Sequence, residues 1–190
     1  MTDTLQQLVE GWKPKTKKTV QRNDSSYAQC LETTTAELER LVELYRNTVF
    51  EEDMRARLMR DSIDHHIRRY HKYAIQGKIK SHYNQRGVSM APADCIFEHV
   101  IPAGQVRDML IDGALTINQA LNVPTCRVSR DSNKKLNDLG LHDHNANPFY
   151  PFRRYQSAMG TALFETYNGQ AIPNLETWSL ADHFKQFNVI

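Results

Sequence analysis

Cysteine is scarce in this chain: its 190 residues include three, Cys30, Cys95 and Cys126, and none belongs to a Cys-x-x-Cys pair. This spacing is too sparse for a disulfide framework and argues against a zinc ribbon. The sequence also lacks an apolar run near the roughly 18 residues of a membrane span, and its polar N-terminus has no signal-peptide core. These absences predict a protein without a membrane segment in a reducing, cytoplasmic compartment.

Acidic side chains are missing from one segment and rare in another. Residues 13–22 contain five Lys or Arg and no acid, and residues 55–86 contain nine Lys or Arg against two Asp. Residues 32–53 are acidic instead, so the net charge of +2 conceals a local separation of charge. Such a separation favours a surface that binds a polyanion, most simply nucleic acid. The alternative is a solvated basic helix face beside an acidic one that neutralises it.

The first half of the chain has helical periodicity. Apolar residues from Tyr27 to Tyr45 recur at spacings of three, four and seven, which predicts a helix that begins near Ser25. A second apolar stripe, from Met54 to Ala74, predicts a helix over residues 51–74 and therefore an α-hairpin. We expect a short helix and a basic arm before it, in residues 1–24. After Gly77, residues 78–86 fit either a further basic helix or a loop.

After residue 87 the pattern changes to short elements. The sequence predicts strands at 94–100 and 124–129, a helix at 106–111, and a helix opened by a capping box of Thr116 and Gln119. Ser129 or Asp131 then caps a helix that Gly140 ends, and further helices follow at 155–164 and 179–187. We therefore predict an α+β protein with two parts. Residues 1–87 form a basic helical DNA-binding region, and residues 88–190 form a second domain.

The end of the first predicted strand holds an adjacent carboxylate and imidazole, Glu98 and His99. Neighbouring strand residues point to opposite faces, so this pair converges on one metal and one water only if the strand ends or bends there. Pro102 favours an ending. A neutral His99 suits general-base chemistry, and Glu98 with the amide of Asn133 suits a hard divalent cation. The structural alternatives are a hydrogen-bonded histidine, a Glu–Arg ion pair and a helix-capping asparagine.

Residues 97–102, Phe-Glu-His-Val-Ile-Pro, followed by residues 127–135, Arg-Val-Ser-Arg-Asp-Ser-Asn-Lys-Lys, resemble the two halves of an HNH endonuclease of phage or homing type. This family is also called ββα-metal or His-Me finger, and the resemblance covers about a quarter of the chain. It implies that residues 88–190 form a ββα-metal nuclease domain with a C-terminal extension, in which His99 is the general base. A phage-encoded protein of this kind is expected in the host cytoplasm. It also implies that Glu98 and Asn133 bind Mg²⁺ or Mn²⁺.

The middle residue of the family's signature has two candidates, Asn118 and Asn122. A second register is open, in which Asn133 is the middle residue and His142 is the metal ligand. The expected end of the helix at Gly140, before His142, disfavours this register.

The resemblance implies a metal-dependent endonuclease that hydrolyses or nicks DNA. Basic side chains near the two motifs and on the second helix are the expected contacts to DNA phosphates: Arg127, Arg130, Lys134, Arg68, Arg69, Lys72, Lys78 and Lys80. One alternative is a catalytically inactive nucleic-acid-binding protein. The other is a phage helical factor that binds a host protein.

Overall fold

The computed structural model describes residues 24–51, 53–76, 80–89, 91, 93–160 and 163–189. These residues form a mixed α+β fold with seven helices and four strands, which confirms the α+β class. The elements are α1 Asp24–Asn47, α2 Asp53–Gln76, β1 Tyr83–Gln85, β2 Cys95–His99, α3 Ala103–Ile111, α4 Ile117–Leu121, β3 Thr125–Ser129, α5 Arg130–Asp138, α6 Arg153–Met159, β4 Phe164–Thr166 and α7 Leu180–Gln186. The predicted N-terminal helix and basic arm, and Lys78, lie outside the described residues. Within them, no helix combines the length and apolar character needed to cross a membrane.

The two long helices form the predicted hairpin and pack on the rest of the chain. Their buried residues share one core with residues from the loop after β2, from α3, from α4 and from α7: Leu38, Val42, Ile63, Ile67, Ile101, Val106, Leu110, Leu121 and Leu180. This core combines residues from both sides of the predicted boundary at residue 87. The helical hairpin is therefore held against the second part of the chain by apolar burial, the main stabilising term in folding.

A four-stranded sheet has the order β2-β3-β1-β4, with β2 at one edge. Strand β2 is antiparallel to β3, β1 is parallel to β3, and β4 is antiparallel to β1. Strand β1 lies in the segment predicted as a helix or loop, and β4 includes Phe164, where the sequence predicted a helix end. The helix there is α6, which ends before Gly160 at a positive φ of 58°.

A second core covers one face of the sheet. It contains Tyr83, Val100, Cys126, Val128, Leu136, Phe152, Tyr155, Phe164, Ile172 and Leu175. The thiol of Cys126 lies 3.4 Å from the Tyr155 hydroxyl, and burial raises the pKa of this thiol to about 12. Cys126 therefore behaves as a small, unreactive core residue.

Local capping fixes the elements on either side of β3. The Thr116 side chain accepts from the Gln119 N–H while the Gln119 side chain accepts from the Thr116 N–H, which confirms the predicted capping box of α4. Ser129 accepts from the Ser132 N–H and begins α5 directly after β3. Gly140, at φ 66°, follows the end of this helix as predicted. Because α5 begins directly after the last residue of β3, the chain turns back across the sheet there. This direction takes α5 towards the end of β2.

Candidate functional site

The end of β2 sends consecutive side chains to opposite sides of the sheet. In the register with β3, Glu98 lies opposite Cys126 and His99 lies opposite Thr125. The alternation continues past the strand, because Val100 belongs to the core that covers the sheet and Ile101 to the core of the helical hairpin. The strand ends at His99, yet the contacts of the two side chains do not converge. We call the face of the sheet that carries Glu98 the glutamate side, and the face that carries His99 the histidine side.

On the histidine side, His99 is bonded to a second histidine. Its Nε2 lies 2.9 Å from Nδ1 of His71, a buried residue of α2. The other nitrogen of His71, Nε2, lies 3.0 Å from the carbonyl oxygen of Leu121 at the end of α4. Phe97 packs edge-on against the His99 ring. The His99 ring is therefore held by Phe97 of its own strand and by His71 of α2, which is itself bonded to the end of α4.

Both imidazoles of this pair favour the neutral form. Burial lowers the pKa of His99 well below its usual value, and electrostatic interactions with His71, Arg68 and Arg154 add to the decrease. Burial lowers the pKa of His71 to about 4, although hydrogen bonds to the Leu121 and Ile67 backbone oppose the change. A neutral imidazole near pH 7 is the form that accepts a proton.

On the glutamate side, a buried ion pair holds one oxygen of Glu98. Its Oε1 lies 2.7 Å from Nη2 of Arg154, whose side chain is 1% exposed. The same guanidinium donates to three backbone carbonyls, those of Leu141, His142 and His99. Arg154 therefore joins α6 to both the end of β2 and the loop after α5. The Glu–Arg pairing that the sequence left open is present in the structure.

The second oxygen of Glu98 faces a histidine. Its Oε2 lies 3.9 Å from Nε2 of His142, because the loop after Gly140 returns His142 to the end of β2. Two ligand atoms that each lie about 2.1 Å from one cation are at most about 4.2 Å apart, so this pair fits a shared divalent ion. The ring of His142 is oriented from the other side by Asp143, 3.0 Å from Nδ1.

Asn133, the third expected ligand, lies half-buried on α5. Its Oδ1 is buried and makes no hydrogen bond within the described residues. An unpartnered amide oxygen is costly to bury, which makes this atom suitable for an added ligand. The hydrogen bonds and ion pairs of Glu98 in the described part of the chain go to Arg154 and His142 and do not include Asn133. Nor do the described residues contain a cluster of three His, Cys, Asp or Glu arranged around one metal.

The two candidates for the middle signature residue are bonded to each other on α4. The Asn122 amide donates to the backbone and side-chain oxygens of Asn118, at 2.8 and 2.9 Å. The backbone carbonyl of Asn122 accepts from Nε2 of His183 on α7. These bonds give both asparagines a structural role at the end of α4, near His71 and away from the glutamate side.

Basic residues of α2 lie close to the histidine side. Arg68, Arg69 and Lys72 line an open cleft together with His65, Tyr73 and Gln76, and no lining residue is acidic. Arg68 is near enough to contribute to the low pKa of His99, and it pairs with Asp64 at 2.7 Å. Lys80 lies with its ammonium 5.6 Å from the ring centre of Tyr167. The cleft is therefore a basic surface, and its Arg68 lies close enough to His99 to affect the pKa of that ring.

The pairing of β2 with β3 places the other predicted phosphate contacts at different positions along β2. Arg127 lies opposite Phe97, on the histidine side. Arg130 follows Ser129, which pairs with Cys95 at the far end of β2 from His99. That end is about 13 Å away by the rise of a β-strand. Arg130 donates to the Ala93 carbonyl, and Lys134 is exposed on α5. The residues expected around one point therefore form two groups.

Sequence reasoning missed two residues that contact the Glu-His pair, His71 and Arg154. His71 had a local signal, because it follows Ile67 by four residues and a histidine in the buried stripe of a helix requires a partner. Arg154 had none, since it lies 56 positions after Glu98 in an aromatic segment with no periodic pattern.

Comparison of the chain with protein-family models, with curated proteins and with solved structures found no match.

Proposed function

We propose that the protein hydrolyses phosphodiester bonds in DNA as an HNH-type endonuclease with His99 as the general base. One observation carries the proposal. A neutral imidazole, held by His71, stands at the end of an edge strand beside a basic cleft without acidic lining residues. Phosphodiester hydrolysis needs a proton acceptor and positive charge near the phosphate.

In the proposed reaction, His99 accepts one proton from a water molecule as the water oxygen attacks phosphorus. The bond from phosphorus to the leaving oxygen breaks, that oxygen takes up a proton from solvent water, and His99 then returns its proton to solvent. Arg68, Arg69 and Lys72 hold the neighbouring phosphates in the cleft. The half-buried setting of His99 keeps its ring neutral before the reaction.

The donor atoms of the glutamate side fit a cation site. Oε2 of Glu98 and Nε2 of His142 would hold Mg²⁺ or Mn²⁺ with Oδ1 of Asn133 as a further donor. Bound there, the cation would stabilise negative charge on the phosphate and the leaving oxygen. Because β2 is the edge strand, DNA that crosses its end meets side chains from both sides.

A plasmid-nicking assay with Mg²⁺ or Mn²⁺ tests this proposal. We expect wild-type protein to convert supercoiled plasmid to the nicked form, and EDTA to stop it. His99→Ala should reduce the rate by about 100-fold or more, as expected for loss of a general base. The matched control is His144→Ala, an exposed histidine on the loop beyond His142, which should leave the rate unchanged. Equal rates for wild type and His99→Ala would reject His99 as the base.

A catalytically inactive nucleic-acid-binding protein is the second candidate. The buried Glu98–Arg154 pair favours it, because Arg154 already neutralises the carboxylate expected to bind the cation. This candidate predicts tight, salt-dependent DNA binding without nicking under any metal condition.

A further inference from the structure

We propose that His71 is the positioning residue of the site: through its hydrogen bond it fixes the tautomer and orientation of His99. The direct contact between His71 Nδ1 and His99 Nε2, at 2.9 Å, is the basis. Its catalytic consequence rests on the proposed function, whereas the tautomer itself does not.

The hydrogen-bond chain assigns each proton in turn. The carbonyls of Leu121 and Ile67 can only accept, and neutral His71 has a single N–H to donate. The 3.0 Å contact between Nε2 and the Leu121 carbonyl assigns this proton to Nε2. Nδ1 of His71 is then the unprotonated nitrogen and accepts the Nε2 proton of His99. In neutral His99 the remaining lone pair is on Nδ1. A general base needs this arrangement, because an N–H at that position would have no lone pair to offer water.

The orienting bond comes from outside the motif that carries the base. His71 belongs to α2, and the carbonyl that fixes its own tautomer belongs to Leu121 at the end of α4. The helical hairpin therefore has two roles: it carries the basic cleft, and it sets the direction of the His99 ring. The tilted ring packing of His71 against Phe97, 6.5 Å between centroids, helps to hold His71 at this angle.

NMR of protein labelled with ¹⁵N-histidine measures the bond directly, without DNA or metal. We expect a scalar coupling across the hydrogen bond between His99 Nε2 and His71 Nδ1, with the proton on His99 Nε2. A His99→Asn sample assigns the His99 signals. A proton on His99 Nδ1, or no coupling between the two nitrogens, would overturn the proposal.

Two substitutions of His71 then separate positioning from folding. His71→Gln retains one acceptor and one donor, whereas His71→Phe retains ring volume alone. We expect the nicking kcat of His71→Phe to fall about 10- to 100-fold with little change in KM, the size expected for a misoriented catalytic group. His71→Gln should recover most of this loss.

Equal kcat values for wild type and His71→Phe, with thermal melts that show both folded, would reject the positioning role. If every form including wild type fails to nick, the proposed function fails on its own. The coupling still decides whether His71 fixes the His99 tautomer.

Discussion

The two sides of the end of β2 bury polar groups in different ways. On the histidine side, His71 and His99 are neutral, since burial lowers their pKa values. On the glutamate side, Glu98 and Arg154 keep opposite charges in contact at 2.7 Å. A neutral pair leaves one nitrogen lone pair available for a proton. An ion pair commits one carboxylate oxygen to its partner and leaves the other for a ligand.

This difference shows how one short strand can serve two tasks. Reactivity needs an unsatisfied atom in a fixed place, and the neutral imidazole chain provides it. Rigidity needs several bonds from one group, and the two terminal nitrogens of Arg154 provide them through one carboxylate and three backbone carbonyls. Each arrangement can be disrupted separately, by acid in one case and by loss of a partner in the other.

Acid should have the largest effect, because it charges histidines that the fold holds neutral. Burial lowers the pKa of His71 to about 4, of His82 to about 3 and of His183 to about 4, against about 6.5 in the unfolded chain. Between pH 6.5 and 4 the unfolded state binds more protons, so the free energy of unfolding falls as the pH falls. With three groups the slope approaches about 4 kcal/mol per pH unit. Urea denaturation at a series of pH values measures it.

The control for this prediction is a pair of histidine variants. His183→Gln should remove the contribution of about one proton from the slope of unfolding free energy against pH. His144→Gln, at an exposed histidine, should leave this slope unchanged. A free energy of unfolding that is constant from pH 6.5 to 4 would contradict the neutral burial of these rings.

Loss of the partner on the glutamate side should have the next largest effect. Arg154→Met leaves Glu98 as a buried, unpaired carboxylate, so we expect a loss of about 3–5 kcal/mol in the free energy of unfolding. Its neighbour Arg153 is the matched control, because it stacks on Tyr150 at 4.2 Å and donates to the Glu176 carbonyl in an exposed position. Arg153→Met should cost about 1 kcal/mol or less. Equal losses in the two variants, by urea denaturation, would show that the ion pair contributes no more than a surface contact.

The smallest predicted effect concerns DNA affinity and compares the two basic groups. The double variant Arg68→Gln/Lys72→Gln alters the cleft beside His99, and Arg130→Gln/Lys134→Gln alters the far end of β2. We expect the first to weaken DNA binding by about 10-fold or more and to lower the slope of log K against log salt by about 0.9 for each lost phosphate contact. The Arg130→Gln/Lys134→Gln variant should change the DNA affinity and the salt slope less. Fluorescence anisotropy at several salt concentrations measures both values, and the reverse order would place the DNA path along α5.

The long helices and the five-residue strands β2 and β3 could be predicted from the sequence, and the three-residue strands β1 and β4 could not. Helices α1 and α2 have 24 residues each, so their apolar stripes repeat often enough to show the helical period. Strands β1 and β4 have three residues each, too few for alternation to be visible. β1 pairs with the distant β3, and β4 pairs with β1. These long-range pairings do not appear in any local stretch of sequence.

The sequence predicted several residues of the candidate site, but not which of them contact one another. The sequence showed that Glu98 and His99 end a strand, and the strand period of two already implied opposite faces. The contacts of the two faces come from distant parts of the chain. His71 is 28 positions from His99, and Arg154 is 56 positions from Glu98. His142 shows the same limit, since the end of α5 at Gly140 was expected, whereas the direction of the following loop was not.

The burial of two of the three thiols makes the native chain suitable for site-specific labelling. Cys126 is buried against Tyr155 with a raised pKa, and Cys95 is buried in β2. Cys30 is partly exposed on α1 and lines a groove with Arg69 and Tyr73, next to the basic cleft. A maleimide fluorophore would therefore react first at Cys30. Its emission would report on DNA in the cleft without any engineered cysteine.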